Sequence, residues 1–332
     1  MSHAYLAVDA GNSKSVALVT DAEGAVLGRG RGGNGDIYGA DSVPSALESV
    51  FEAVQAALAG AGAVDIAAAA FRIAGVDYPE DATFWDDHLR SRFPFLRAVS
   101  VKNDAYASLR LIDGSGVAVS ITVGTGPAVA ARAKDGREEH SGFFVFDHLG
   151  GSGLGNAALR AVCLAWMGAG PETALTESML SFYGVADGWE LRHVFTRRFG
   201  ARPASDLWQA SRLVLAAAEA GDAVAVSIVA EQASAFVRYA EWCARRVGVD
   251  LASGELPVLL NGSVATSEHP AMRDALFSSL HRVAPAARVV VADASPLSGV
   301  VLDALAEGGV EVGPELLARV RDDHPHDFLT TF

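Results

Sequence analysis

The 332-residue chain is poor in lysine and cysteine, and each shortage excludes something. Lys14, Lys102 and Lys134 are its only lysines, and Lys plus Arg number 26 against 40 Asp plus Glu. The net charge is −14, and no stretch gathers the cations into a basic face. Nucleic acid and anionic membranes are therefore excluded as expected partners, since clustered positive charge is what holds both. Cys163 and Cys243 are the only cysteines, far apart and in helix-like surroundings. They predict reduced core thiols in a cytoplasmic protein rather than a disulfide framework. Met1-Ser2-His3-Ala4-Tyr5 lacks the cationic and apolar regions of a secretory signal. The nearest thing to a membrane span is the uncharged stretch 114–131, but Gly124, Gly126 and Pro127 interrupt it. A buried strand–turn–strand is predicted there instead.

What remains is a globular composition, 50% hydrophobic and 20% charged, with length for two domains and a large core. Strands are predicted at residues 5–8, 16–20 and 25–30, followed by a helix over 41–59. Val43, Leu47, Val50, Val54 and Leu58 fall on one face of that helix, Asp41 or Ser42 can cap it, and Pro44 suits its first turn. A strand near 66–73, a helix near 81–92, a strand near 98–102 and a helix over 104–111 follow. This order, a hairpin and then alternating helices and strands, predicts a mixed sheet with helices on its faces. Asp113-Gly114-Ser115-Gly116 reads as a hinge. Beyond it, strands at 117–123 and 128–133 around Gly124-Thr125-Gly126 repeat the opening hairpin in weaker form. Helices are predicted over 154–167, 223–247 and 298–306, and strands over 257–260 and 289–292. Two copies of one α/β unit would leave a cleft in which opposed loops clamp a ligand.

Four loops can carry chemistry. Asp9-Ala10-Gly11-Asn12-Ser13-Lys14-Ser15 joins two apolar strands. A carboxylate at a strand end, followed by a small polar turn, can hold Mg²⁺ and receive phosphate oxygens. The same pattern also closes ordinary hairpins. Asn103-Asp104 lies at a strand–helix junction, where Asp serves as a general base or simply caps a helix. Gly124-Thr125-Gly126 offers backbone and hydroxyl donors to an anion, and Gly262-Ser263 lies where backbone can pass close to a ligand. Gly32-Gly33-Asn34-Gly35-Asp36 is a further polar turn. The terminal Asp322-Asp323-His324-Pro325-His326-Asp327 is metal-capable by composition, but a flexible acidic terminus fits it better than converging ligands.

In order and spacing these segments resemble the sugar-kinase, Hsp70 and actin superfamily, and more narrowly the BadF/BadG/BcrA/BcrD ATPase and N-acetylglucosamine kinase family. Residues 9–15 resemble its first phosphate loop. Ile73-Ala74-Gly75-Val76-Asp77-Tyr78-Pro79-Glu80-Asp81 resembles its Ala-Gly-Val-Asp-x-Pro-Glu-Asp segment. Asn103-Asp104, Val123-Gly124-Thr125-Gly126 and Asn261-Gly262-Ser263 resemble its helix-opening pair, second phosphate loop and adenosine loop. The match spans residue 5 to about 307. Asn12, Pro127 and Asn261 depart from the usual residues. Asp147-His148-Leu149-Gly150-Gly151-Ser152-Gly153 keeps the family's Gly-Ser-Gly but not its preceding Asp-Glu pair.

The resemblance implies an α/β fold of two actin-like (ribonuclease H-like) lobes with a nucleotide cleft between them. One lobe would be residues 1–113 and the other 114–310, with 311–332 a C-terminal helix or tail. It implies ATP and Mg²⁺, and phosphorylation of a small sugar such as N-acetylglucosamine or a related hexosamine. Asp104 would be the catalytic base and Asp9 would act through the metal. Gly11, Asn12, Ser13, Lys14, Gly124, Thr125, Gly126, Gly262 and Ser263 would hold the nucleotide. Asn34, Asn103, Asp104, Thr125, Asp147 and His148 would face the sugar. A homodimer is the expected assembly. Two alternatives stay open: a non-catalytic nucleotide or sugar sensor on the same scaffold, and an ATPase activator of a CoA-ester reductase or dehydratase. The second needs cysteine thiolates for an iron–sulfur cluster, and neither Cys163 nor Cys243 sits in such a motif.

Overall fold

The computed structural model describes residues 3–322. The first sheet is built as the apolar runs predict. β1 (His3–Ala10), β2 (Ser15–Thr20) and β3 (Val26–Gly32) form an antiparallel meander, and β4 (Asp65–Ile73) and β5 (Val99–Asn103) add in parallel beside β1, in the order β3-β2-β1-β4-β5. β2 is buried along its whole length, as a strand covered on both faces must be. Helix α1 (Val43–Ala61) starts at Ser42, whose Oγ accepts from the Ser45 N–H at 3.2 Å, with Pro44 in its first turn. Its buried face of Val50, Phe51, Val54 and Ala57 joins Leu6, Val8, Val19 and Phe71 in one core, with Trp85 and Leu89 of α2 (Pro79–Arg92).

The second sheet repeats the first. β6 (Ala118–Val123), β7 (Pro127–Arg132), β8 (Glu138–His140), β9 (Val258–Asn261) and β10 (Val289–Val291) lie in the order β10-β9-β6-β7-β8. With β6 in the place of β1, this is the same topology, so the weak repeat of the opening hairpin reflects a real duplication of architecture. The second copy carries α3 (Gly150–Trp166), α4 (Leu175–Tyr183), α5 (Gly188–Thr196), α6 (Ser211–Glu219), α7 (Ala223–Arg246) and α8 (Ala271–Val283). Helices α9 (Pro296–Glu307) and α10 (Pro314–Asp322) close the described chain. Among the described residues, no single helix is long and apolar enough to cross a membrane.

Two compact units emerge from the packing. The described residues of Met1–Ser120, Ala130–Phe143 and Val290–Phe332 form unit 1, and Ile121–Val129 with Phe144–Val289 form unit 2. This differs from the expected division at 113/114. Residues 130–143 and α9 belong with the first unit because ion pairs, buried at Asp303 and part-buried at Glu138, tie them there. Asp303 of α9 meets Arg72 of β4 at 2.7 Å and Arg110 at 2.7 Å, and Glu138 of β8 meets Lys102 of β5 at 2.7 Å. Helix α10 is also part of unit 1, with Arg319 Nη1 donating to the Glu23 carbonyl at 3.0 Å. The acidic stretch from 323 to 327 lies outside the described residues.

One predicted element is corrected. Residues 104–111 form two short 3-10 turns, Asp104–Tyr106 and Leu109–Leu111, rather than a helix. Tertiary bonds compete with a continuous helix here. Ser108 Oγ shares a hydrogen bond with Ser120 Oγ at 3.0 Å, and Arg110 donates to Asp303 and to the carbonyls of Gly114 and Ser115.

Candidate active site

The parallel part of the first sheet decides where the carboxylates meet. β1, β4 and β5 run the same way, with Asp9 beside Arg72 and Ile73 beside Asn103 in register. Their carboxyl ends therefore lie along one edge. Asp9 at the end of β1, Asp77 in the turn after β4 and Asp104 directly after β5 all leave the sheet there, the usual place for ligands in such sheets.

Each of these carboxyls is held away from its ordinary ionisation. Burial pushes Asp9 up to about 6, against the pull of Lys14. Burial, with Asp36 and Asp81 adding repulsion, pushes Asp77 up to about 6. Burial, then the charges of Asp9, Asp77 and Asp36, push Asp104 up to about 8. Asp9, Asp77 and Asp104 retain some solvent access, so water can reach groups otherwise surrounded by protein. Such groups titrate as one coupled set. Lys14 is itself drawn down by burial, with Asp9 opposing and Arg31 adding to the effect.

The loops around this cluster are braced from below. The Asn103 amide donates to Asp77 Oδ1 at 3.1 Å, and its Oδ1 accepts from Ala105 N–H at 2.9 Å, fixing the 3-10 turn that carries Asp104. Asp81 accepts from the backbone N–H groups of Asp77 at 3.0 Å and Tyr78 at 2.8 Å, and from the Tyr38 hydroxyl at 2.8 Å. That last bond is the chief reason the Tyr38 phenol is pushed up to about 12. Gly75 has φ +75°, and a Cβ there would lie 2.2 Å from Asp36 Oδ1, so glycine is required for Asp36 to sit against this turn. Among the described residues, no other side chain hydrogen-bonds the Asp104 carboxyl, which is met only by its own backbone N–H.

The turn after β3 is tied to the loop of residues 9–15 through Gly35 N–H to Gly11 O at 3.1 Å. Asn34 uses its amide within that turn, donating to Gly39 O at 2.9 Å and accepting from Asp36 N–H at 2.9 Å. Asn12 turns its Oδ1 toward Gly39. Its side chain thereby leaves the loop backbone, exposed at Asn12 and Ser13, open to solvent. Tyr38, Tyr78 and Phe143 stand beside these loops as an exposed aromatic patch. Phe143 packs edge-on against Tyr38 at 4.9 Å between centroids and stacks with Tyr78 at 5.7 Å.

Unit 2 brings its own three loops together. Gly151 and Ser152, opening α3, donate to the carbonyls of Gly124 at 2.8 Å and Thr125 at 2.9 Å. Val264 N–H donates to Val123 O at 2.9 Å. Gly262 has φ +90°, and a Cβ would lie 2.5 Å from Val123 O, so only glycine lets this loop cross the end of β6 so closely. The Asn261 amide nitrogen beside it is buried without a partner. Asp147 stands apart from these bonds: its carboxylate accepts from the Tyr239 hydroxyl at 2.8 Å and from Arg238 at 3.5 Å.

Of the residues singled out in the sequence, Asp9, Gly11, Asn12, Lys14, Asn34, Asn103 and Asp104 thus belong to unit 1. Gly124, Thr125, Gly126, Gly262, Ser263, Asp147 and His148 belong to unit 2. Asp36 was expected on the sugar side with Asn34 and Asp104, whereas Asp77, Tyr38 and Phe143 had no assigned role. Asp77 lay in plain view inside the Ala-Gly-Val-Asp segment, whereas nothing in the pattern marked Phe143. No group of three or more His, Cys, Asp or Glu among the described residues forms a ready metal cage. A pair of carboxylates short of cations fits Mg²⁺ nonetheless, because that ion uses one or two carboxylates and takes its other ligands from water and phosphate.

The model of the BadF/BadG/BcrA/BcrD ATPase family matches residues 6–304. No curated protein sequence matches. Among solved structures, proteins named "Putative N-acetylglucosamine Kinase" are similar: that of Chromobacterium violaceum at 21% identity, covering 91% of this chain and 98% of the other, TM-score 0.66. That of Porphyromonas gingivalis stands at 20% identity, 92% and 99% coverage and TM-score 0.65. A ROK family glucokinase from Streptomyces griseus, solved with glucose and AMPPNP, is 20% identical over 91% and 98% of the chains, TM-score 0.57. At these identities the likeness establishes the fold, a mixed α/β architecture of two lobes.

Proposed function

The chain belongs to the BadF/BadG/BcrA/BcrD ATPase family, and from that premise we propose that it transfers the γ-phosphoryl group of ATP to a hydroxyl of a hexosamine such as N-acetylglucosamine. The observation that carries the proposal is Asp104: a carboxyl without a side-chain partner, at the edge where Asp9 and Asp77 also emerge. A sugar hydroxyl has a pKa far above 7, so its proton leaves only as the new bond to phosphorus forms, and Asp104 within hydrogen-bond reach accepts it in its ionised form, which fills as pH rises through about 8. Asn103 holds both Asp77 and the turn of Asp104, so it positions the base. The backbone at Asn12 and Ser13, and the turns at Gly124–Gly126 and Gly262, offer N–H groups and close backbone approach to the nucleotide. Mg²⁺ bound with ATP beside Asp9 would neutralise phosphate charge.

The charge of unit 1 sets the acceptor class. Three of its buried or part-buried cations are committed, Arg72 to Asp303 and Glu307, and Arg132 and Lys102 to Glu138, while Lys14 stands beside Asp9 on the nucleotide side. Asp36, Asp77 and Asp104 accept hydrogen bonds from hydroxyl or amine donors, and the ionised carboxylates among them repel a second phosphate. The aromatic patch of Tyr38, Tyr78 and Phe143 offers faces on which a sugar ring can pack. An electron-transfer activator is not favoured, since Cys243 is buried with Sγ on the Val129 carbonyl and Cys163 is a lone, half-buried thiol of α3.

A coupled assay for ADP across N-acetylglucosamine, glucosamine, glucose and their 6-phosphates tests the substrate class. The expected result is turnover with an unphosphorylated hexosamine and at least about 10-fold less with every 6-phosphate, as like-charge repulsion requires. Preference for a 6-phosphate would refute this reading of the pocket. Silence with all six sugars would favour the sensor.

A further inference from the structure

Unit 2 contains a concavity of about 1100 Å³ between α3 and α7. The Gly124–Gly126 turn and the Gly262-Ser263 loop are not among its walls. Its rim carries four arginines from four different helices: Arg160 of α3, Arg192 of α5, Arg238 of α7 and Arg282 of α8. Against them stand two carboxylates, Asp147 and Glu231. In a chain of net charge −14 this is an unusual concentration of positive charge. Arg238 reaches Asp147 at 3.5 Å, while Arg160, Arg192 and Arg282 make no ion pair among the described residues. Arg192 faces the Cys163 thiol, where it opposes the rise that burial imposes. Gln232 also lines the cavity. It is 6% exposed, its amide nitrogen points to the His148 carbonyl at 3.5 Å, and its amide oxygen has no donor.

Exposed arginines scattered over a surface need no ligand. Arg160, Arg192, Arg238 and Arg282 are themselves exposed, but they line one hollow together with the buried Gln232, so an anion entering it has several guanidinium groups within the same walls. Guanidinium forks match phosphate oxygens two at a time. The orphaned Gln232 oxygen, with Glu231 and Asn156 on the same walls, calls for hydroxyl donors on the rest of the molecule. We propose that this cavity is a binding site for a small phosphorylated, hydroxyl-bearing metabolite of sugar-phosphate size, with its phosphate on Arg160 and Arg282 and its hydroxyls toward Gln232 and Glu231. Its occupancy requires no turnover, so it stands or falls independently of the kinase reading.

Isothermal titration calorimetry of the full chain without ATP tests this. Ribose 5-phosphate is the main probe, because glucosamine 6-phosphate could also approach the carboxylates of unit 1. Inorganic phosphate and ribose are the controls. Saturable binding of ribose 5-phosphate is expected, with inorganic phosphate and ribose each weaker by about 10-fold or more, since each supplies half of the contacts. The Arg160→Ala/Arg282→Ala variant should lose about 10-fold or more in affinity, as for loss of charge-assisted bonds. Gln232→Leu should weaken ribose 5-phosphate but leave inorganic phosphate unchanged, a split that a merely structural glutamine would not produce. If the alanine variant does not fold, Arg160→Lys/Arg282→Lys keeps the charge and removes the forks, and should still bind more weakly. Absence of saturable heat, equal affinity for inorganic phosphate, or unchanged affinity in the arginine variants overturns the proposal.

Discussion

Replacing Asp104 by Asn removes sugar-dependent turnover and, at pH 8, raises the melting temperature of the ligand-free protein. The two effects share one cause. The carboxyl stands among Asp9, Asp77 and Asp36, and burial and their charges push it up to about 8 from the 3.8 of a free aspartate. Between those limits the folded chain holds a proton that the unfolded chain has released. Stability therefore falls as pH rises through the window. Asparagine carries no charge to desolvate, so the variant's advantage is widest at pH 8 and closes toward pH 4. A gain of at least about 2 °C is expected, the scale of one kcal/mol in a domain of this size. Turnover should drop by about 10²-fold or more, the contribution of a positioned base. Thermal melts at pH 5 and pH 8, with a coupled assay, read both. Turnover within a factor of two, or an unchanged melt at pH 8, would reduce Asp104 to the cap of a turn.

The largest loss of stability is expected from Asp303→Asn. Asp303 is 1% exposed and Arg72 is fully buried. Arg72 Nη2 lies 2.7 Å from Asp303 Oδ2, Arg110 Nε 2.7 Å from Oδ1, and Arg132 Nη1 3.7 Å away. Burial alone would raise the Asp303 carboxyl, but Arg72, Arg132 and Arg110 overcome it and hold it below its ordinary value. Neutralising this carboxylate leaves three guanidinium groups around a dipole. Removing one partner of a buried pair costs about 3–5 kcal/mol, far more than a surface bridge. A fall of about 10 °C in melting temperature follows. Because the native carboxyl is depressed, its contribution is present above its unfolded pKa and lost as pH falls through the folded value. The deficit should therefore be large at pH 7 and shrink in acid. A change below about 1 kcal/mol would mean that Glu307, 2.8 Å from Arg72, carries the pairing alone.

Much of this was legible in the chain. Strand runs such as 16–20 and the amphipathic stretch 41–59 announce themselves because one period of hydrophobicity dominates each. Asp9, Asp104 and Gly262 stand at strand ends, where chemistry-bearing residues are expected. The rest depended on contacts that sequence does not display. The turns of 104–111 follow from the Ser108–Ser120 bond and the Arg110–Asp303 pair, both made to distant residues. β8, with the sequence Glu-Glu-His, has no apolar alternation, and is held as a strand by pairing to β7 and by the ions of Glu138. α9 joins the first unit through Asp303, although its position in the chain suggests the second. Asp36 and Asp77, close neighbours in space, are separated in sequence by all of α1 and β4.

The central claim is that a phosphoryl group moves to sugar while Asp104 takes the proton. Mass spectrometry of the sugar after incubation of the protein with ATP, Mg²⁺ and a hexosamine tests it most directly. The expected result is a sugar gaining one phosphoryl group with the wild-type chain and essentially none with Asp104→Asn. Inorganic phosphate released from ATP with the sugar unmodified, or equal sugar phosphorylation by the variant, would contradict it.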